Sequence, residues 1–507
     1  MQRGAIVIAA AACLACGLLA AASGAASGAP PARAPRTATT ASTLPAQIAF
    51  GSGSRRIPTS FFGLSLEYKE LRTYVKSGAL FRRMLSIVRP RDGSPMVLRI
   101  GGKSADHVWW GTTEKPPQWV TTIGEQWLSR LSGLVSRADL KVVLDLNLAV
   151  HSPTMAARFA KAAVQALPRS SVAGFEVGNE PDLYWRQPWL EKQRIASTSS
   201  DVPRRWTGNY TPIDYARDYE AYARAVMTAA PGIPLGGPEI ISSKADWLTV
   251  LAGLGRLEPG FLSIHRYASS TCLPPSSSHY PTIPLMLANA SSAGVASSTE
   301  GAVQFAHANH TQLRLTEINS ISCGGNSGVA NSFATALWAP DVLFELLNAG
   351  VDGVNWHIRP SILNAPFNLV DGKLVPLPEL YGLAVFAQMT HGPARLISTT
   401  VSASAGLVLK AWTVRRGGTS NVLLINKGGR DARVAVPAPA GVRGAAIIRR
   451  LQAPRVGSTT GVRFAGRRIG EDGLWHGQEN DERVSARGGS YVVTVPAYSA
   501  AMVTLGS

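Results

Sequence analysis

VAGFEVGNE, residues 172–180, decides how this chain folds. Its first half is a short apolar run rich in strand-forming residues. Its end turns polar through Gly178, Asn179 and Glu180, and Pro181 follows. Seven further runs share this texture: 61–68 (FFGLSLEY), 96–102 (MVLRIGG), 141–147 (KVVLDLN), 234–240 (PLGGPEI), 261–267 (FLSIHRY), 313–319 (LRLTEIN) and 351–357 (VDGVNWH). Several are almost continuously apolar rather than alternating, as parallel strands covered on both faces require. Helical patterns lie between them. The segment 154–167 is Ala-rich, 212–230 starts on Pro212, which suits a first turn, and 331–348 ends just before Gly350. Eight strands with intervening helices over about 300 residues predict an α/β fold, a (β/α)8 TIM barrel placed at 47–390. An open doubly wound sheet is the alternative, weakened because no glycine-rich dinucleotide fingerprint follows an early strand.

Outward from the barrel the texture changes. After about His391, short runs at 407–414, 421–426, 445–451 and 491–495 alternate with Gly, Pro and charged turns, and no long amphipathic helix is visible. This predicts a C-terminal antiparallel β-sandwich over 391–507, to which 47–58 could add a strand. At the other end, Met1-Gln2-Arg3 precedes an uncharged apolar stretch from Ala5 to about Ala22 and then small residues, the layout of a secretory signal peptide at 1–29. A membrane anchor is the competing reading of the same stretch. Residues 30–46 hold few bulky apolar side chains and read as a flexible low-complexity linker. Cys13 and Cys16 fall inside the signal stretch, which leaves Cys272 and Cys323, most simply one disulfide in an exported protein.

The composition, 45% hydrophobic and 16% charged, fits a globular chain with a sizeable core and excludes wholesale disorder. The formal net charge of +18 favours anionic partners in general. Lys and Arg are spread along the chain in pairs such as Arg55-Arg56 and Arg449-Arg450, without a long basic run, so a nucleic-acid partner is not expected. Nor is a span across the membrane expected after the signal stretch.

In a barrel the chemistry sits at the C-terminal ends of the strands. Here those ends carry Glu67, then Arg99 running into Gly-Gly-Lys-Ser-Ala-Asp106, then Asn179-Glu180, His265-Arg266-Tyr267, Glu317 and Asn355-Trp356-His357. Carboxylates ending the fourth and seventh strands would face each other across the mouth. Such a pair can cleave a glycosidic bond, one acid protonating the leaving oxygen while the other attacks the anomeric carbon. Glu180 and Glu317 are the candidates. Asn179 could bond the neighbouring sugar hydroxyl. Tyr267 could orient the nucleophile, and Trp356 could form the floor beneath a sugar ring. For Tyr267 and Trp356 a packed core position remains the open alternative. His265 and Arg266 could support the site from behind. Neither paired histidine spacing nor a Gly-x-Ser-x-Gly elbow occurs, so no metal, cofactor or serine nucleophile is expected.

FFGLSLEY, LRIGGKSADHVWW, GFEVGNEPDLY and LRLTEINSISCGG, in that order, resemble glycoside hydrolase family 79, which includes β-glucuronidases and heparanase. The resemblance covers about residues 50–505. It implies Glu180 as acid/base and Glu317 as nucleophile of a retaining enzyme on a carbohydrate substrate. It also implies that Glu67, Asp106, Asn179 and Tyr267 contact the sugar, and that the backbone N–H of Gly324 helps hold a uronic acid carboxylate. The chain departs from the family's pattern at Ser322 and Phe367, where glucuronate-binding members often carry tyrosines. The expectation is therefore a secreted exo-acting β-glucuronidase. The same mechanism on a neutral β-glycoside, an endo-acting hydrolase of acidic polysaccharide, and a carbohydrate-binding protein on an inactive barrel are the alternatives.

Overall fold

A computed structural model describes residues 43–111, 116, 119–186, 210–439 and 444–506. All eight predicted runs form strands: Phe62–Glu67, Met96–Gly101, Leu140–Leu146, Val172–Val177, Leu235–Ile240, Phe261–Ser270, Leu313–Ser322 and Gly353–His357, the first to eighth barrel strands. They pair in parallel, each with its sequence neighbours, and the eighth returns to the first to close the barrel. Every residue of the first, second, fifth and eighth strands is buried, as expected where helices cover the outside and side chains fill the inside. The open-sheet alternative is thereby excluded.

The helices form where the patterns place them. Pro153–Ala166 starts with Ser152 accepting the Met155 N–H. Pro212–Ala229 starts on a capping box in which Thr211 and Asp214 satisfy each other's backbone N–H groups. Phe333–Ala349 stops at Gly350, which takes the left-handed conformation a non-glycine residue resists. That last helix accommodates Pro340 in its interior and is buried almost all round, because it lies between barrel and sheet rather than on the surface.

The C-terminal region is the expected β domain, built from one curled sheet. Hydrogen bonds run through one ten-stranded sheet in the order Arg463–Phe464, Ala446–Gln452, Ser499–Leu505, Thr419–Asn426, Leu409–Arg416, Arg395–Ala403, Leu44–Arg56, Ala432–Pro437 and Ser490–Val495, with Glu482–Val484 beside Ala446–Gln452. The sheet curls so that alternate residues from its distant strands, among them Ile48, Leu424, Val434, Ile448 and Val493, share one core. The bridge is Leu44–Arg56, which pairs antiparallel with Arg395–Ala403 and parallel with Ala432–Pro437. The segment before the barrel is thus an interior strand of this sheet, and it begins inside the span assigned to the linker. Residues 1–29 and 30–42 lie outside the described residues. Among the described residues no helix is long and apolar enough to cross a membrane.

The outer face of the sheet contributes Leu396, Leu423, Ile425 and Met502 to the barrel's own hydrophobic core. A buried ion pair pins this joint. Lys427, just after the strand Thr419–Asn426, donates to Asp341 on the helix Phe333–Ala349 at 2.5 Å and to Ser292 at 3.2 Å, while Trp412 donates to the other Asp341 oxygen. Burial disfavours the Asp341 charge, but Lys427 and Lys410 outweigh it and hold the carboxyl below its ordinary range. Asp341→Ala, which strands the Lys427 ammonium, should lower unfolding free energy by about 3–5 kcal/mol in denaturant titration. Asp341→Ala with Lys427→Met should recover most of that loss; a double variant as unstable as the single one would mean packing, not charge, holds the joint.

Candidate active site

A cavity of about 1030 Å³ opens where the barrel strands end. Glu67, Asn179, Glu180, His265, Tyr267, Glu317 and Gly324 all line it. At its base lies Arg99, fully buried on the second strand. Its guanidinium reaches Glu317 at 3.0 Å, Glu239 at 2.5 Å, Asp145 at 3.4 Å, Glu176 at 3.4 Å and the Asn179 side-chain oxygen at 3.1 Å. Gly101 makes room for it: a Cβ there would stand 2.4 Å from the guanidinium carbon and would push it off its partners.

Local backbone features aim the two glutamates. The seventh strand shifts register against both neighbours around Leu315–Ile318, a bulge that turns Glu317 toward the mouth. Glu180 lies past the end of the fourth strand with φ 49°, and its N–H donates to the Glu239 carbonyl at 3.1 Å. One carboxylate oxygen of Glu180, one of Glu317 and one ring nitrogen of His265 lie within 4.8 Å of one another. These three are also the set whose spacing could surround a metal ion among the described residues.

The two carboxyls are driven to opposite protonation states. Burial, reinforced by the Glu317 charge, pushes Glu180 up to about 8. Burial opposes ionisation of Glu317 too, but His357, His265, Arg99 and the hydroxyl of Tyr267 overcome it and bring Glu317 down to about 2. Burial lowers His265 itself to about 4, which leaves it neutral near pH 7. Tyr267 donates to Glu317 at 2.5 Å, and His357 Nδ1 lies 3.5 Å from the other oxygen. His265 Nδ1 is 3.1 Å from Glu180.

The remaining expected residues divide. Glu67 faces the cavity and accepts the Ser104 N–H at 2.8 Å. Asn179 commits its oxygen to Arg99, which leaves its amide N–H groups on the cavity side. Cys272 and Cys323 form the disulfide, at the rim beside Gly324. Arg266, largely buried, lines the cavity and is held on backbone carbonyls of 240–242. Asp106 and Trp356 are corrections. The turn Ala105–His107 directs Asp106 inward, where both carboxylate oxygens accept from Tyr184 at 2.9 Å; it is 3% exposed and outside the cavity lining. Trp356 is not a sugar floor. It points outward from the barrel, fully buried between Phe62 and Trp338, and donates to Glu379 at 3.1 Å. Strand alternation puts its neighbour His357 at the mouth instead. Phe367 likewise packs in the core near Tyr74, whereas Ser322 lines the cavity.

Sequence reasoning gave no role to Asp145, Glu176, Glu239, Lys103 or Arg359. Acids inside apolar runs were the available signal for the first three, because a buried acid needs a cation nearby.

No family model matches the sequence, and no curated protein matches it. Solved structures do. The fold is similar to that of a 4-O-α-L-rhamnosyl-β-D-glucuronidase from Fusarium oxysporum 12S, at 17% identity and a TM-score of 0.71 over 91% of this chain and 100% of that one. It is similar to a family 51 arabinofuranosidase from Xanthomonas axonopodis pv. citri, at 15% identity and a TM-score of 0.61 over 91% and 99%. A family 30 endoxylanase from Clostridium papyrosolvens C71 matches at 12% identity and a TM-score of 0.52 over 92% and 100%. These neighbours share the (β/α)8 barrel with an attached β domain.

Trp356→Phe should cost roughly 2 kcal/mol of stability, because it removes packing and the Glu379 partner. KM for any glycoside turned over should stay unchanged; a several-fold rise in KM without loss of stability would return Trp356 to the sugar site.

Proposed function

We propose that this chain is a retaining glycoside hydrolase that cleaves β-glucuronides from the end of the substrate, with Glu180 as acid/base and Glu317 as nucleophile. The observation that carries the reading is two buried carboxyls that face each other across one cavity, with oxygens within 4.8 Å, in surroundings that push their pKa values apart. Glycosidases that retain configuration keep the pair about 5–5.5 Å apart, and inverting ones open it to about 6.5–9.5 Å. A closest approach within 4.8 Å favours retention.

The steps follow from the charges. Glu317, ionised and held by Arg99 and Tyr267, attacks the anomeric carbon as protonated Glu180 gives its proton to the leaving oxygen. The glycosyl–Glu317 ester has no negative charge, so one cause of the raised Glu180 pKa vanishes and Glu180 can then take a proton from water. Water attacks the anomeric carbon, and Glu317 leaves as the free carboxylate.

The acidic sugar is supported by two cations. Lys103 and Arg359 line the cavity, and neither has a hydrogen bond or ion pair with any described residue. The Fusarium enzyme's glucuronide specificity, at the same fold, supports it too. A neutral sugar is the second reading, favoured by Ser322, which brings no phenol to the cavity. The disulfide and the N-terminal segment support action outside the cytoplasm.

Release of nitrophenol from an aryl β-D-glucuronide tests the reading. Glu317→Ala should reduce turnover by on the order of 10⁴-fold or more while sparing substrate binding. Undiminished turnover would remove Glu317 from the mechanism, and activity confined to neutral aryl glycosides would move the substrate.

The pH profile is a separate test. Turnover needs Glu180 protonated and Glu317 ionised. It should fall as pH rises through about 8 and should persist down toward about 2, as far as the fold survives. Tyr267→Phe, which removes a hydrogen bond to the ionised nucleophile, should move the acid limb upward. An unchanged acid limb would show that this limb does not report Glu317.

A further inference from the structure

A second cavity, of about 630 Å³, lies on the other side of the barrel from the catalytic mouth. Its barrel wall comes from the C-terminal end of helix Gly78–Val88 with the loop that follows, and from the C-terminal end of helix Pro378–Met389. Helices in this fold run opposite to the strands, so both ends belong to the face where strands begin. The other wall is the sheet, through Arg416, Asn421, Arg449 and Met502.

The charge of this groove is one-sided. Among the described residues, five arginines and one histidine line it, and no Asp or Glu does. Three of the arginines have partners: Arg89 pairs with Asp139 at 3.2 Å, Arg449 with Asp481 at 2.8 Å, and Arg467 with Glu479 at 3.2 Å. Arg91, His391 and Arg416 are exposed and form no hydrogen bond or ion pair through their side chains with any described residue. They come from three separate parts of the chain, a loop, a helix end and a strand end, and converge on one cavity. Gly392 provides space for one of them: with φ +72°, a Cβ there would stand 3.2 Å from an Arg416 guanidinium nitrogen. Trp475, with the Arg467 guanidinium 5.5 Å from its ring centre, and Leu474, 46% exposed, add apolar surface of the kind that packs on sugar C–H faces.

We propose that this groove is a second, non-catalytic site for an acidic glycan chain, whose carboxylates or sulfates pair with Arg91, His391 and Arg416. The volume suits a few sugar rings. Cations beside an apolar wall fit a polymer that alternates anionic groups with C–H faces. A nucleic acid would call for a longer phosphate track than three convergent side chains supply. Such a site would keep the chain on an acidic polymer between encounters at the mouth.

The test compares the wild-type chain with Arg91→Gln/His391→Gln/Arg416→Gln. Binding is measured to polygalacturonate, with dextran as the neutral control and duplex DNA as a competing polyanion. The wild type should bind polygalacturonate and not dextran, with affinity falling as salt rises. The triple variant should bind roughly tenfold more weakly, with an unchanged melting temperature and unchanged turnover of a small aryl glycoside. Equal affinity in the two proteins would overturn the proposal, as would dextran binding that the substitutions weaken equally. Tighter binding of DNA than of polygalacturonate, lost in the same variant, would overturn the glycan assignment. None of the three residues touches the catalytic cavity, so a wild type that hydrolyses nothing would refute the proposed reaction and leave the binding result standing.

Discussion

One guanidinium organises this molecule. Arg99 is wholly out of water at the centre of the barrel, where an unpartnered charge would cost several kcal/mol. Its partners come from the third, fourth, fifth and seventh strands through Asp145, Glu176, Glu239 and Glu317, with Asn179 at the end of the fourth. Each of these strands must bring its acid to the same point, which fixes how they are staggered. The glycine at 101 is part of the same constraint, because the guanidinium occupies the space a side chain would need.

Four carboxyls around one cation cannot all be ionised at low dielectric cost. Burial holds Asp145 and Glu239 well above the ordinary carboxylate range. Glu317 is the one at the edge of the cavity, its side chain 11% exposed, and it has Tyr267 as a further donor. It therefore stays ionised. Burial and then the Glu317 charge raise Glu180, which has neutral His265 beside it, against the weaker opposing pull of Arg99 and His357. The opposed pKa values of the two glutamates thus come from a single arrangement: Arg99 bonds one carboxyl directly, and the other feels the charge that results.

Barrel and sheet form one folding problem rather than two. The strand Leu44–Arg56 enters the interior of the C-terminal sheet before the barrel begins, so that sheet is incomplete until the two ends of the chain meet. The cores merge across the joint, and Asp341 with Lys427 is sealed within it. The basic groove at the base of the barrel also depends on this joint, since neither wall encloses a cavity alone.

Much of this was legible in the sequence because it is written locally. Apolar runs of strand length, a proline at a helix start and a glycine at a helix end depend on neighbours a few residues away, so all eight barrel strands and three of the helices could be read directly. Acids at the ends of the fourth and seventh strands were legible for the same reason. What depended on distant atoms was not. Alternation says that Trp356 and His357 face opposite ways, but only closure of the barrel decided that His357 looks into the mouth. The turn at 105–107 enclosed Asp106 against Tyr184, a residue 78 positions away. That the strand Leu44–Arg56 sits inside the curled sheet, between Arg395–Ala403 and Ala432–Pro437, was likewise decided by distant pairing. The sequence by itself determined the architecture and placed a glutamate at the end of the fourth strand and another in the seventh. Only the tertiary structure decided which glutamate keeps its proton, because a pKa follows from burial and from charges a few ångströms away, wherever in the chain they originate.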